Sequence, residues 1–79
     1  PAKATAQCMH NLLAILTAAE MDFGNVVDTT ILLTDLKDFA VVNAVYQSFL
    51  TAPYPARLTF QAAALPKGAC VEIKMTAIK

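Results

Sequence analysis

Hydrophobic positions in this chain recur first at helical spacing, then at alternating spacing, and then in that order again. Met9, Leu12, Leu13, Leu16 and Ala19 form a stripe three and four residues apart, and residues from Ala4 to Glu20 favour a helix. Gln7, Asn11 and Glu20 lie largely off that stripe, and Gly24 in MDFGN is its expected stop. From Val26 to Thr34 the chain is β-branched and alternates. Val27, Thr29, Ile31 and Leu33 share one face and Asp28, Thr30 and Thr34 the other, which predicts a half-buried strand. Asp35 or Asp38 is placed to receive the free amides of a second helix. Phe39, Val42, Tyr46 and Phe49 mark its apolar stripe, and its end falls near Leu50. Pro53 and Pro55 forbid continuation and impose extended backbone. Residues 57–64 and 70–78 read as two further strands joined by a short turn in LPKGA, with Pro66 and Gly68.

The order is α-β-α-β-β without repeat or linker, so residues 1–79 read as one domain. Two helices against three strands make a two-layer α+β core with exposed sheet edges and one uncovered face. Composition sharpens this. The chain is 57% hydrophobic and 15% charged, against roughly 25% charged in an average soluble domain. That surplus of apolar surface asks for a partner, most simply identical subunits. Six basic residues balance six acidic ones, leaving no field to attract nucleic acid or an anionic membrane.

No apolar run approaches the roughly 18–20 residues of a membrane span. The segment PAKATAQC lacks the basic-then-apolar order of a secretory signal, and with no initiator Met it reads as a processed chain or a fragment. The expected compartment is the cytosol. The mitochondrial matrix is the alternative, because a processed chain shows no transit peptide. Cys8 and Cys70 form no CxxC and read as buried small hydrophobes in a reducing compartment. With His10 alone and no Cys/His cluster, no metal site is expected.

The later strands separate polar from apolar positions. Arg57, Thr59 and Gln61 oppose Leu58, Phe60 and Ala62, while Cys70, Glu72, Lys74 and Thr76 oppose Val71, Ile73, Met75 and Ala77. Arg57 and Glu72 read either as an exposed ion pair worth little or as a carboxylate clamp and a general base. With a hairpin turn near Lys67, Glu72 pairs across from about Ala62 and Arg57 from about Ala77. The two then sit roughly 16 Å apart along the sheet, too far for one small ligand to touch both. Either they have unrelated jobs or they meet across a subunit boundary. Asn43 neighbours the second helical stripe and is a candidate to face a cleft. Thr59 is a pocket wall or an ordinary strand residue. Tyr46 and Phe49 fit the core stripe, His10 reads as a surface residue, and Cys70 lacks the basic surroundings of a nucleophile.

TTILLTDLKDF, VNAVY, PAR and LPKG followed by VEI occur in one order over residues 26–78, and AQCMHNLLAIL precedes them. In that order they resemble the Rid (YjgF) family of reactive-intermediate deaminases over essentially the whole chain. The resemblance implies a chorismate-mutase-like fold, here incomplete at the N-terminus. The family's first strands carry a Gly-Pro-Tyr-Ser-like segment and a Ser-Gly-Gln segment, and neither appears among these residues. It also implies a barrel-like homotrimer with clefts between subunits. The implied activity is hydrolysis of 2-enamines and 2-imines, such as 2-aminoacrylate and 2-iminobutyrate, to 2-keto acids and ammonia, with no cofactor. Arg57 falls on the family's carboxylate-binding arginine and Glu72 on its water-positioning glutamate. Asn43 and Tyr46 match positions near the cleft, and Thr59, where the family often has a cysteine, completes the implied substrate-binding set. An intersubunit cleft brings Arg57 of one chain to Glu72 of the next. Two alternatives stand beside this: a non-catalytic module holding small carboxylates, and an endoribonuclease or translation inhibitor, as attributed to relatives. Neutral charge and the lack of a basic-aromatic stripe argue against the last.

Overall fold

The computed structural model describes residues 1–79. Its elements are α1 (Ala2–Ala18), β1 (Val26–Leu33), α2 (Phe39–Ser48), β2 (Ala56–Gln61) and β3 (Val71–Ala77). Each strand is one or two residues shorter than its apolar pattern suggests, because the outermost residues lie beyond the ladder. The element order follows the sequence expectation.

Helix α1 does not stop at Gly24. Its chain reverses at Glu20, in the left-handed region at φ 61°. The amide of Glu20 donates to Thr17 O (3.0 Å) and that of Met21 to Leu16 O (2.7 Å). This pair of bonds closes the last turn and caps its free carbonyls, with glutamate standing where glycine is usual. Gly24 lies instead within a short 3-10 turn, Phe23–Asn25, whose start is capped by Asp22 accepting from the Gly24 amide. Asp35 caps the 3-10 turn Leu36–Asp38 that leads into α2, accepting from the Lys37 amide at 2.9 Å, whereas Asp38 makes no side-chain cap bond to α2 itself.

The hairpin expected from LPKGA is absent. Strand β1 is central: β2 runs parallel on one side of it and β3 antiparallel on the other. The cause is α2, a crossover helix that returns the chain to the start of the sheet and lays β2 parallel to β1. Beside β1, only the opposite edge is then free for β3. The connecting residues cross the end of β1, where Ala62 N donates to Leu33 O (2.7 Å) and Thr34 N to Cys70 O (3.2 Å). Pro66–Gly68 forms a 3-10 turn with Lys67 and Gly68 at positive φ, part of a crossing rather than a two-residue hairpin loop.

Both helices pack on one sheet face and the other stays uncovered. Partnered residues on adjacent strands point the same way. The helix side therefore carries the rows Arg57–Thr29–Met75, Thr59–Ile31–Ile73 and Gln61–Leu33–Val71. The core is Met9 from α1, Ile31 and Leu33 from β1, Val42 and Tyr46 from α2, and Val71 from β3. Val27 does not join it. A register shift between Val26 and Asp28 turns Val26 inward and leaves Val27 exposed. Strand β2 lies at the rim and inverts the usual amphipathic sense. Its polar residues face the helices, while Leu58 and Phe60, 59% and 51% exposed, face the uncovered side. No helix is long and apolar enough to cross a membrane.

Candidate functional site

Where the rim of the sheet meets α2, a cationic cluster forms. Phe39, Asn43 and Tyr46 lie at i, i+4 and i+7 along α2, which brings all three onto one face above β2. Arg57, one residue into β2, rises into that face. Its Nη1 donates to Asn43 Oδ1, and its guanidinium carbon lies 5.3 Å from the Phe39 ring centroid and 5.7 Å from that of Tyr46. Such contacts attract a cation by about 0.5–2 kcal/mol each without cancelling its charge. Tyr46 is 3% exposed, and its hydroxyl donates to Thr29 Oγ1 at 3.0 Å. Thr29, wholly buried, is the register partner of Arg57 on β1.

Thr59 follows two residues later on the same face, and its Oγ1 is the one buried side-chain polar atom without a hydrogen-bond partner. Leaving a hydroxyl so costs about 1–3 kcal/mol. Thr59→Val keeps the shape and removes that cost, so its melting temperature is expected to rise by about 4–8 °C, equivalent to about 1 kcal/mol. A lower melting temperature in a thermal scan would mean that the hydroxyl is stabilising.

Glu72 lies elsewhere. It pairs with Leu32 on β1 and points to the uncovered face, in one row with Leu32 and Phe60. Arg57 pairs with Thr29, so the two residues are three steps apart along β1 and two strands apart across it. That is about 14 Å between backbones, with side chains on opposite faces. The sequence expectation of a wide separation stands, although the hairpin register behind it does not. One chain brings Arg57, Asn43, Tyr46 and Thr59 together and keeps Glu72 away.

Two participants were missed in the sequence. Phe39 read only as core, yet it is partly exposed and caps the guanidinium. Thr29 read as an ordinary strand residue, and nothing in its neighbours signals the bond to Tyr46. Cys8 is no hidden nucleophile. Burial, then the nearby Cys70 and Glu72, push its thiol above its ordinary range, so it stays protonated at neutral pH. No group of acidic, histidine and cysteine residues has the makings of a metal site.

The model of the family described as Endoribonuclease L-PSP matches residues 1–79. The chain belongs to this family. It is the Rid (YjgF) family that the sequence motifs resemble. Among L-PSP relatives, the RutC family protein y4sK of Sinorhizobium fredii is 56% identical over 68 residues, covering 86% of this chain and 54% of that protein. The human 2-iminobutanoate/2-iminopropanoate deaminase is 48% identical over 73 residues, covering 92% of this chain and 53% of the enzyme. The chain thus spans about half the length of the curated relatives it matches. The crystal structure of E. coli TdcF with bound serine superposes with a TM-score of 0.91 at 37% identity, over 95% of this chain and 61% of that one. The three-stranded sheet and its two helices are therefore shared with this L-PSP family structure over about three fifths of its length.

Proposed function

We propose that this chain forms the carboxylate-binding half of an imine-hydrolysing site, acting on small 2-imino acids to release 2-keto acids and ammonia. One observation carries the reading: Arg57 is a half-buried cation held only by neutral groups, Asn43 and two aromatic rings. An arginine so placed keeps its charge and part of its donor fork for an anion. Relatives at 48% identity bear the name 2-iminobutanoate/2-iminopropanoate deaminase, and the TdcF crystal structure carries serine, itself a small carboxylate.

In this reading Arg57 grips the substrate carboxylate and fixes the imine carbon. Water adds to that carbon while the imine nitrogen takes up a proton. The resulting carbinolamine then loses ammonia as the carbonyl forms. Glu72 accepts the proton of the attacking water and passes it to the imine nitrogen, then carries the carbinolamine's hydroxyl proton to the departing nitrogen. Because Glu72 sits on the opposite sheet face from Arg57, the pair that flanks one ligand comes from two chains. The apolar Leu58 and Phe60, exposed on the same uncovered face as Glu72, support packing of a second copy there. Asn43 and Tyr46 then act on the ligand through Arg57, and Thr59 lines the same wall.

The test is ammonia release from 2-iminobutyrate generated freshly from threonine by a dehydratase. Glu72→Gln is expected to slow release by about 10²-fold or more, while 2-oxobutyrate binding stays unchanged. Binding without ammonia release from the wild-type protein would favour the second reading, a carboxylate-holding module. The placement of the whole Arg57 cluster on one chain, apart from Glu72, is the observation on its side.

A further inference from the structure

Arg57 has no acidic partner although the chain holds six acidic residues. The one ion pair within 4 Å joins Lys79 to Glu20 at the surface. A carboxylate at position 43 would grip a guanidinium more tightly than an amide does, yet the group there is the neutral Oδ1 of Asn43. The rings of Phe39 and Tyr46 complete the neutral surround. The Tyr46 ring is itself fixed, because its buried hydroxyl is tied to Thr29 on the strand beside Arg57.

We propose that Asn43 is the specificity-determining residue of this site. By holding Arg57 with a neutral oxygen it leaves the full positive charge to the ligand, and so selects carboxylates over their neutral amides. Thr29, acting through Tyr46, is a positioning residue that fixes the ring against which the guanidinium lies. The inference rests on the carboxylate-clamp reading above and deepens it.

The physics is a matter of charge count. An amide oxygen is one end of a dipole, so the bond orients Arg57 and takes one of its five N–H groups without cancelling its charge. Aspartate at the same position has nearly the same shape and accepts the same bond, but adds a negative charge. An anionic ligand then meets a neutral pair and repulsion from the new carboxylate. A neutral amide ligand meets nearly the site it met before. Burial of Tyr46 and Thr29 makes their bond rigid, since neither group has water to turn to.

The experiment is calorimetric titration of 2-oxobutyrate and of 2-oxobutanamide into the wild-type protein and its variants. The wild type is expected to prefer the acid by about 30-fold or more. Asn43→Asp should fold as stably as the wild type, lose at least about 30-fold in acid affinity and hold the amide within about 3-fold. Thr29→Val should lose about 3–10-fold in acid affinity, and Thr29→Ser, which keeps the hydroxyl, should recover it. Should Asn43→Asp not fold, Asn43→Ala is read instead, with an expected loss of about 10-fold for the acid. Wild-type acid preference in Asn43→Asp, or wild-type acid affinity in Asn43→Ala, overturns the assignment to Asn43. A Thr29→Val loss that Thr29→Ser does not recover overturns the positioning role. If instead the wild type shows no preference, or Arg57→Ala keeps it, the clamp reading itself falls and this inference with it.

Discussion

In the Arg57→Ala variant, 2-oxobutyrate binding is expected to fall by about two to four orders of magnitude, and ammonia release from 2-iminobutyrate to fall with it. The magnitude follows from the loss of a two-pronged charged contact, each prong contributing about 1.5–3 kcal/mol. The fold should survive. Arg57 sits at the rim of the sheet, outside the cluster of Met9, Ile31, Leu33, Val42, Tyr46 and Val71. What the variant loses structurally is one bond to Asn43 and two ring contacts, about 1.5 kcal/mol for a rim site, so the melting temperature should drop by about 6–12 °C. Arg57→Lys is the informative companion, because it keeps the charge and loses the planar fork. Intermediate binding in the lysine variant would show that geometry counts beside charge. Turnover at the wild-type rate in Arg57→Ala would remove the arginine from the site altogether.

The largest effect on stability is expected from Leu33→Ala. Leu33 is wholly buried on the central strand, between Gln61 and Val71 in its row. Truncating a leucine so placed costs about 2–5 kcal/mol, transfer and cavity together. A domain of this length commands about 4–12 kcal/mol in all. The variant should therefore lose a large share of its stability, with a melting temperature lower by about 10 °C or more. Urea unfolding followed by circular dichroism measures this directly. A loss below about 1 kcal/mol would mean that the helices close over the gap, and that Leu33 is not the keystone its burial suggests.

The elements were legible in the sequence because each carries its own period, and the resemblance to the Rid family identified the family correctly. Strand order was not legible in the periodicity. The alternation of Arg57, Thr59 and Gln61 against Leu58 and Phe60 says which residues share a face, but nothing about which strand lies beside them. Reading 57–64 and 70–78 as a hairpin treated nearness in the chain as nearness in the sheet, and the crossover through α2 overrides it. The Arg57 cluster was half legible. Arg57 at the head of an apolar strand was conspicuous, and Asn43 stood out beside the stripe of α2. That they touch depends on α2 lying across β2, which no local signal encodes. Thr29 was silent for the same reason, since its bond to Tyr46 joins strand to helix across the core.

The sheet has one further consequence, for the order in which it assembles. No pairing in it is a hairpin: β1 meets β2 only after α2 has turned the chain back, and meets β3 only after both. Without a local hairpin to begin from, two sizeable loops must close before the ladder gives anything in return. The central strand takes part in every pairing, so the folding nucleus has to contain it. Leu33→Ala should accordingly slow folding as well as weaken the native state, and a chevron in which only the unfolding arm moves would place β1 late in the process.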